Sequence, residues 1–149
     1  MLTNKAKYGL KALLHLAELP PAGTAFVADI AAANNIPKKF LDAILVELRN
    51  AGFVRSKKGP NGGYSLARPA TQIVVGDAIR VLDGALAPIA CASRHFWRPC
   101  EDCGDDETCR VRLIMLDVRN AISGILDNTT LAALAARGTG EKRAKVAAL

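Results

Sequence analysis

Cysteine is missing before residue 91 and after residue 109, only two histidines occur, and aromatic residues make up 5% of a chain that is half apolar. Scarce aromatics leave Leu, Ile, Val and Ala to build the core, which suits helices better than a β-sandwich. With so little histidine, no glycine-rich nucleotide loop opening a βα unit and no Ser or Cys in a nucleophile setting, an enzyme is not expected. No run approaches the roughly 20 apolar residues that span a bilayer, and the basic start MLTNKAKYGL lacks the apolar stretch of a secretory signal. A cytoplasmic protein with no membrane partner is therefore expected. In that reducing compartment, clustered cysteines point to metal binding or redox sensing rather than to structural disulfides.

Positive charge is confined to one half. Residues 1–70 hold ten Lys or Arg against Glu18, Asp29, Asp42 and Glu47, a net +6, whereas the remaining residues hold ten basic and ten acidic groups, a net of zero. An excess of this kind fits a nucleic-acid footprint joined to a module with a different task.

Apolar residues recur at Leu2, Ala6, Leu10, Leu13, Leu14 and Ala17, one buried face of a first helix that Thr3 is placed to cap and PPAG ends. His15, between two leucines, is expected to pack or to make a surface hydrogen bond. A short helix with Val27, Ile30 and Ala31 then stops near Asn34 and Asn35. Another begins close to Pro37, carries Leu41, Ile44, Leu45 and Leu48, and stops at Gly52. This is helix-turn-helix organisation, with Lys38 and Lys39 at the end of the second helix that meets DNA in such motifs. Phe53 to Lys57 and Gly63 to Ala67 read as two strands around GPNGG, a wing bearing Arg55, Lys57 and Lys58, with Arg68 beside it. The candidate DNA-contacting set is Lys5, Lys38, Lys39, Phe40, Arg55, Lys57, Lys58, Asn61 and Gly62.

IVVGDAIRVLDG predicts a further helix ending by Gly84, followed by a loop and then a long helix from about Asp106. In it Val111, Met115, Val118, Ile122 and Ile125 form a stripe seeking a partner along a seam. Winged helices of this size usually read DNA as a two-fold pair, so a homodimer on palindromic double-stranded DNA is expected. The fold class is mostly α. Its divisions are a winged helix-turn-helix domain at 1–84, a sensory loop at 85–106, a dimerisation helix with a following short helix at 107–136, and a flexible tail at 137–149.

All four thiols lie in CASRHFWRPCEDCGDDETC, as Cys91, Cys100, Cys103 and Cys109, among Glu101, Asp102, Asp105, Asp106 and Glu107. Four thiolates complete a 2Fe-2S or 4Fe-4S site, and zinc accepts the same sulfurs in a tetrahedron, with Cys100-x-x-Cys103 as a common half-site. The chemistry leaves these level, with a metal-free thiol or persulfide switch as a third reading and a small electron carrier as a fourth. The carboxylates disfavour thiolate formation. Cys109, expected in the first turn of the long helix, gains from its dipole, and Asp105 and Asp106 are expected to cap that helix.

The KAKYGLKALLHLA opening, the IPKKFLDAILVELRNAGFVRSKKGPNGGYSLARP block and the ILDNTTLAAL segment resemble the winged-helix transcription regulators of the IscR and NsrR type, over roughly Met1 to Leu134. The resemblance implies a homodimer whose loop, in many members, holds an iron-sulfur cluster that controls affinity for operator DNA. Cys91, Cys103 and Cys109 match the three family cysteines, and Cys100 is additional. Where some relatives place a histidine ligand this chain has Arg112, and where others use a carboxylate on the partner's first helix it has Tyr8. Cys100 is then the natural fourth ligand, with His95 or an acid as second choices. Lys58 replaces an arginine common before the wing glycine.

Overall fold

The computed structural model describes residues 2–139. Helix α1 (Asn4–Ala17) begins where expected, because the Thr3 hydroxyl accepts from the Ala6 amide at 3.3 Å. Asp83, at the end of a later helix, accepts in turn from the Thr3 amide at 2.9 Å. Helix α2 (Val27–Asn34) stops as Asn35 turns left-handed at φ 53°, a conformation that Asn tolerates better than most residues. His15, half-buried, meets the Asn34 side-chain amide at 3.3 Å.

Helix α3 (Lys38–Asn50) buries Leu41, Ile44, Leu45 and Leu48, the predicted stripe. Pro37 lies just outside as the capping residue, its carbonyl accepting from Leu41 at 3.2 Å. At the other end Gly52 takes φ +82° and the Phe53 amide reaches back to the Leu48 carbonyl at 2.9 Å, closing the helix in a Schellman arrangement. Strands β1 (Val54–Lys57) and β2 (Gly63–Leu66) pair antiparallel, Val54 opposite Leu66 and Lys57 opposite Gly63. Ala25 adds a bridge to Tyr64, with hydrogen bonds of 3.0 and 2.7 Å, and so anchors the wing to the segment before α2.

After a 3-10 turn at Ala70–Gln72, helix α4 (Val75–Asp83) packs on α1, where Gly9 leaves room for Leu82. A second 3-10 turn at Ala90–Ala92 opens the cysteine segment, and α5 (Arg110–Leu126) follows it. Helix α5 begins later than Asp106 because the Asp105 carboxylate closes a turn with the Glu107 amide and the Thr108 hydroxyl, both at 2.9 Å. That turn is the role of Asp105, in place of the expected helix cap. Cys109 is itself the residue that precedes the helix, one position outside the first turn in which it was expected.

No residue of α5 is buried, whereas α6 (Leu131–Thr139) returns to the body. Leu131 is fully buried with Leu13, Ile30, Leu45 and Ile73, and its amide donates to the Ile73 carbonyl at 2.8 Å. The short helix grouped by sequence with α5 thus packs into the core of the winged helix-turn-helix body. It also continues past residue 136, the expected end of order, while residues 140–149 of the expected tail lie outside the described residues. The structure is therefore a mostly helical winged helix-turn-helix body with one long helix standing off it.

Candidate functional site

On the exposed side of α3, Lys39 and Phe40 are free of the core, the Phe40 ring 62% exposed. Lys38 is held by Asp42 at 3.0 Å one turn on, and Lys5 of α1 reaches Glu47 at 2.8 Å, so two of the expected cations are partly neutralised by carboxylates of α3. In the wing, Arg55 donates across the hairpin to the Ser65 hydroxyl at 3.3 Å. Arg55, Lys57, Asn61 and Arg68 line an open groove that runs beneath the wing to Thr24, with no carboxylate in its lining. Arg68, which sequence placed only beside the wing, stacks its guanidinium 4.7 Å from the centre of the Phe53 ring.

Lys58 and Asn61 are exposed at the wing tip, but Gly62 is buried. A Cβ there would stand 2.2 Å from the Lys57 carbonyl oxygen, and one on Gly63, at φ +119°, would stand 2.6 Å from that of Ala25. Gly62 permits the hairpin to close upon itself and is less accessible than Lys58 and Asn61 beside it. The Thr24 hydroxyl reinforces this closure by donating to the Gly62 carbonyl at 2.7 Å.

The four cysteines are free thiols arranged in a chain. Cys91, buried on the 3-10 turn, receives the Cys100 Sγ at 3.6 Å. Cys100 Sγ, Cys103 Sγ and a carboxylate oxygen of Asp102 lie within 4.8 Å of one another. Cys109 lies near enough to Cys103 for each of the two thiols to shift the other's proton affinity. Asp102 is the member of this group that sequence spacing did not single out, since an acid between two loop cysteines looks the same whether it faces solvent or sulfur. His95 lines a small cavity with Arg80, Ser93, Arg94, Phe96 and Asp127 and is not part of the Cys100, Asp102 and Cys103 group.

The thiols differ in character. Burial pushes Cys91 up, helped by the bond and charge of Cys100. For Cys100 the contact with Cys91 acts downward, but the nearness of Cys103, burial and the charges of Cys103 and Asp102 raise it overall. Cys103 is likewise raised, the lowering effect of Cys100 being outweighed by Cys109, burial and Asp102. Cys109 alone of the four is lowered, first by the backbone amide of Arg112, then by Cys103, the Val111 amide and the Arg112 charge. These are the free amides at the start of α5, the expected helix-terminus effect acting on a residue just outside the helix.

Two arginines of α5 tie this segment down. Arg112 donates to the Cys91 carbonyl at 2.9 Å and to the Asp106 carbonyl at 3.2 Å, and Arg119, two turns along, to the Ala92 carbonyl at 3.0 Å. At the far end of α5, Arg80 of α4 grips Asp127 through two bonds of 2.8 Å and also reaches Asp77 at 3.1 Å. Gly76 makes room for this grip, since a Cβ there would meet the Asp127 carboxylate at 2.1 Å. The cysteine segment is therefore coupled to α5, and α5 to the body, through directional charged bonds.

The donor set fits a thiophilic metal or an iron-sulfur cluster: four sulfurs in one chain of neighbours, one carboxylate among them, and backbone amides poised for a thiolate. Along the outer side of α5 the exposed seam runs Val111, Ile114, Val118, Ala121 and Ile125, in steps of 3, 4, 3 and 4. Met115 and Ile122, which the sequence placed in that seam, are half-buried. The arrangement pairs a winged helix-turn-helix body with a helix whose apolar seam faces outward.

Comparison with known proteins agrees with this architecture. The family described as Rrf2, iron-dependent transcriptional regulator, matches residues 2–137. A putative HTH-type regulator described as rrf2-like, from Rhodobacter capsulatus, is 40% identical over 143 residues, covering 93% of this chain and 94% of its own. Among solved structures, CymR, the global cysteine regulator of B. subtilis, superposes with a TM-score of 0.75 at 33% identity, covering 92% of this chain and 97% of the other. IscR of T. potens superposes with a TM-score of 0.76 at 28% identity, covering 97% and 93%.

Proposed function

The chain belongs to the Rrf2 family of transcription regulators, and from that premise we propose a homodimer that binds a palindromic operator with an affinity set by an iron-sulfur centre on Cys91, Cys100, Cys103 and Cys109. The observation that carries this reading is the linkage of the thiol chain to α5 through Arg112 and Arg119. A sensory segment bonded to a dimer helix has a physical route to the spacing of two reading heads. Half-sites one helical turn apart demand a separation of about 34 to 36 Å, so a small change in helix packing alters affinity.

When bound, such a centre supplies metal-thiolate bonds that hold the thiols deprotonated and iron that responds to redox state or small ligands. This chain's own residues do the rest. The start of α5 presents its amides to Cys109, Arg112 fixes both ends of the cysteine segment, and Arg119 holds the carbonyl after Cys91. The seam Val111, Ile114, Val118, Ala121 and Ile125 supports dimerisation, since a contiguous apolar stripe at this spacing gains free energy when a second helix covers it. DNA contact falls to Lys39, Phe40, the wing residues Lys57, Lys58 and Asn61, and in part to Lys5, Lys38 and Arg55. Among the described residues no helix is long and apolar enough to cross a membrane.

A zinc site is the second reading, favoured by Asp102 beside Cys100 and Cys103, because zinc accepts carboxylate oxygen together with sulfur. Anaerobic purification with a visible spectrum and with iron, acid-labile sulfide and zinc analysis separates the two. Coloured protein with matching iron and sulfide supports the cluster, and colourless protein with stoichiometric zinc assigns the site a structural role.

A further inference from the structure

Phe40 has no task within the fold. Its neighbours Leu41, Ile44, Leu45 and Leu48 turn inward, while its ring stands 62% exposed in the first turn of α3. Lys38 and Lys39 precede it, and Ala43, also exposed, stands one turn further along. Exposed large apolar side chains on a reading helix have a specific use. The floor of the major groove offers one apolar group, the C5-methyl of thymine, and a phenyl ring or a small methyl side chain recognises it by contact alone.

We infer that Phe40 reads a thymine methyl in each operator half-site and is a specificity-determining residue of this regulator, an inference that rests on the DNA-binding reading above. The placement suits the task in three ways. The first turn of a recognition helix is the part that reaches base edges, so Phe40 lies at the correct end of α3. Lys39 beside it supplies attraction to phosphate without competing for the same base edge. Lys38 holds the Asp42 carboxylate at 3.0 Å, which limits repulsion between this turn and the DNA. Ala43 leaves the ring a clear approach on the same side, its own methyl too short to reach past it.

The test uses the full chain and a site selected from a random-sequence duplex pool. Each thymine of that site is replaced singly by deoxyuridine, which removes the methyl and nothing else, and affinity is measured for the wild type and for Phe40→Ala. Removing one buried methyl is worth about fourfold in affinity, so the wild type loses about fourfold at one thymine per half-site while Phe40→Ala is indifferent to that replacement. Phe40→Leu retains an intermediate penalty. Because the ring is exposed, both variants keep the wild-type melting temperature, which separates lost recognition from lost fold. A wild type indifferent to every replacement overturns the inference, as does a Phe40→Ala variant that keeps the same penalty. Failure of any sequence to enrich overturns the DNA-binding reading itself, and this inference with it.

Discussion

Arg112 and Cys91 are joined across the cysteine segment: the guanidinium Nε donates to the Cys91 carbonyl at 2.9 Å while another of its nitrogens reaches the Asp106 carbonyl at 3.2 Å. One side chain of α5 thus holds both the first turn of the segment and its last, and sets how far the thiols can spread. Arg112→Ala removes a charged donor shared by two carbonyls. Hydrogen bonds to charged groups are worth about 1.5–3 kcal/mol, less here because the site is partly open to solvent. Iron loss to a chelator is expected to quicken about tenfold, which corresponds to about 1.4 kcal/mol. Arg119→Ala, with one such bond to Ala92, gives a smaller effect in the same direction. Equal rates in the variants and the wild type remove these arginines from the account.

Substitution of the cysteines one at a time separates a four-thiol centre from a two-thiol switch. Each of Cys91→Ser, Cys100→Ser, Cys103→Ser and Cys109→Ser is expected to lower bound iron and sulfide by more than half and to change DNA affinity in the same direction. A disulfide switch using the Cys91 and Cys100 sulfurs, 3.6 Å apart, instead tolerates loss of Cys103 and Cys109. Metal content and affinity, measured on all four variants, decide between them.

The helix-turn-helix body and wing were legible from sequence because their signals are local: a 3.6-residue apolar rhythm in α1 and α3, Thr3 before the first helix, and glycines where the hairpin reverses. The positions of Met115 against Ile114, and of Ile122 against Ala121, were not, because either choice satisfies a heptad and only docking of α5 on the body decides which leans inward. Leu131 reached the core by returning to Ile73, a long-range contact with no periodic mark in a short helix. At the site, the thiols were visible as a cluster, but Asp102 and the two arginines were not. A lone acid in a loop and cations on an amphipathic helix have the same pattern whether they face water or bond to a carbonyl.

Asp127 and Arg80 carry a pH signature. The Arg80 guanidinium holds the Asp127 carboxyl below its ordinary value of 3.8, chiefly through their hydrogen bonds, against the opposing effect of burial. A carboxyl lowered in the folded state contributes stability that is present above its unfolded pKa and is lost as pH falls through the folded one. At neutral pH Asp127→Asn is expected to destabilise the protein by about 1 kcal/mol, a figure reduced for the exposure of the aspartate. Urea unfolding at neutral pH and again below pH 3 is expected to show this gap closing in acid. A gap that stays constant contradicts the assignment.

The wing glycines differ in what they tolerate. Gly59 has φ +107° but open space around its Cα, so Gly59→Ala adds backbone strain of about 1–2 kcal/mol and nothing else. Gly63 at φ +119° adds to that strain a Cβ 2.6 Å from the Ala25 carbonyl, which must move. Gly63→Ala is expected to cost about 3 kcal/mol or more and to weaken DNA binding even at temperatures where the body stays folded. Thermal unfolding of the two variants, with affinities measured well below their midpoints, checks the order.

The central claim is that occupancy of the cysteine segment controls affinity for DNA, and one measurement addresses it directly: the dissociation constant of anaerobically purified protein for its selected operator, before and after removal of the bound metal by chelation, with iron and sulfide counted in the same samples. The account predicts a change of about tenfold or more, equivalent to about 1.4 kcal/mol, that reverses when iron and sulfide are restored. An affinity that stays the same while the metal leaves, or a protein that never holds metal and binds its operator fully, contradicts it.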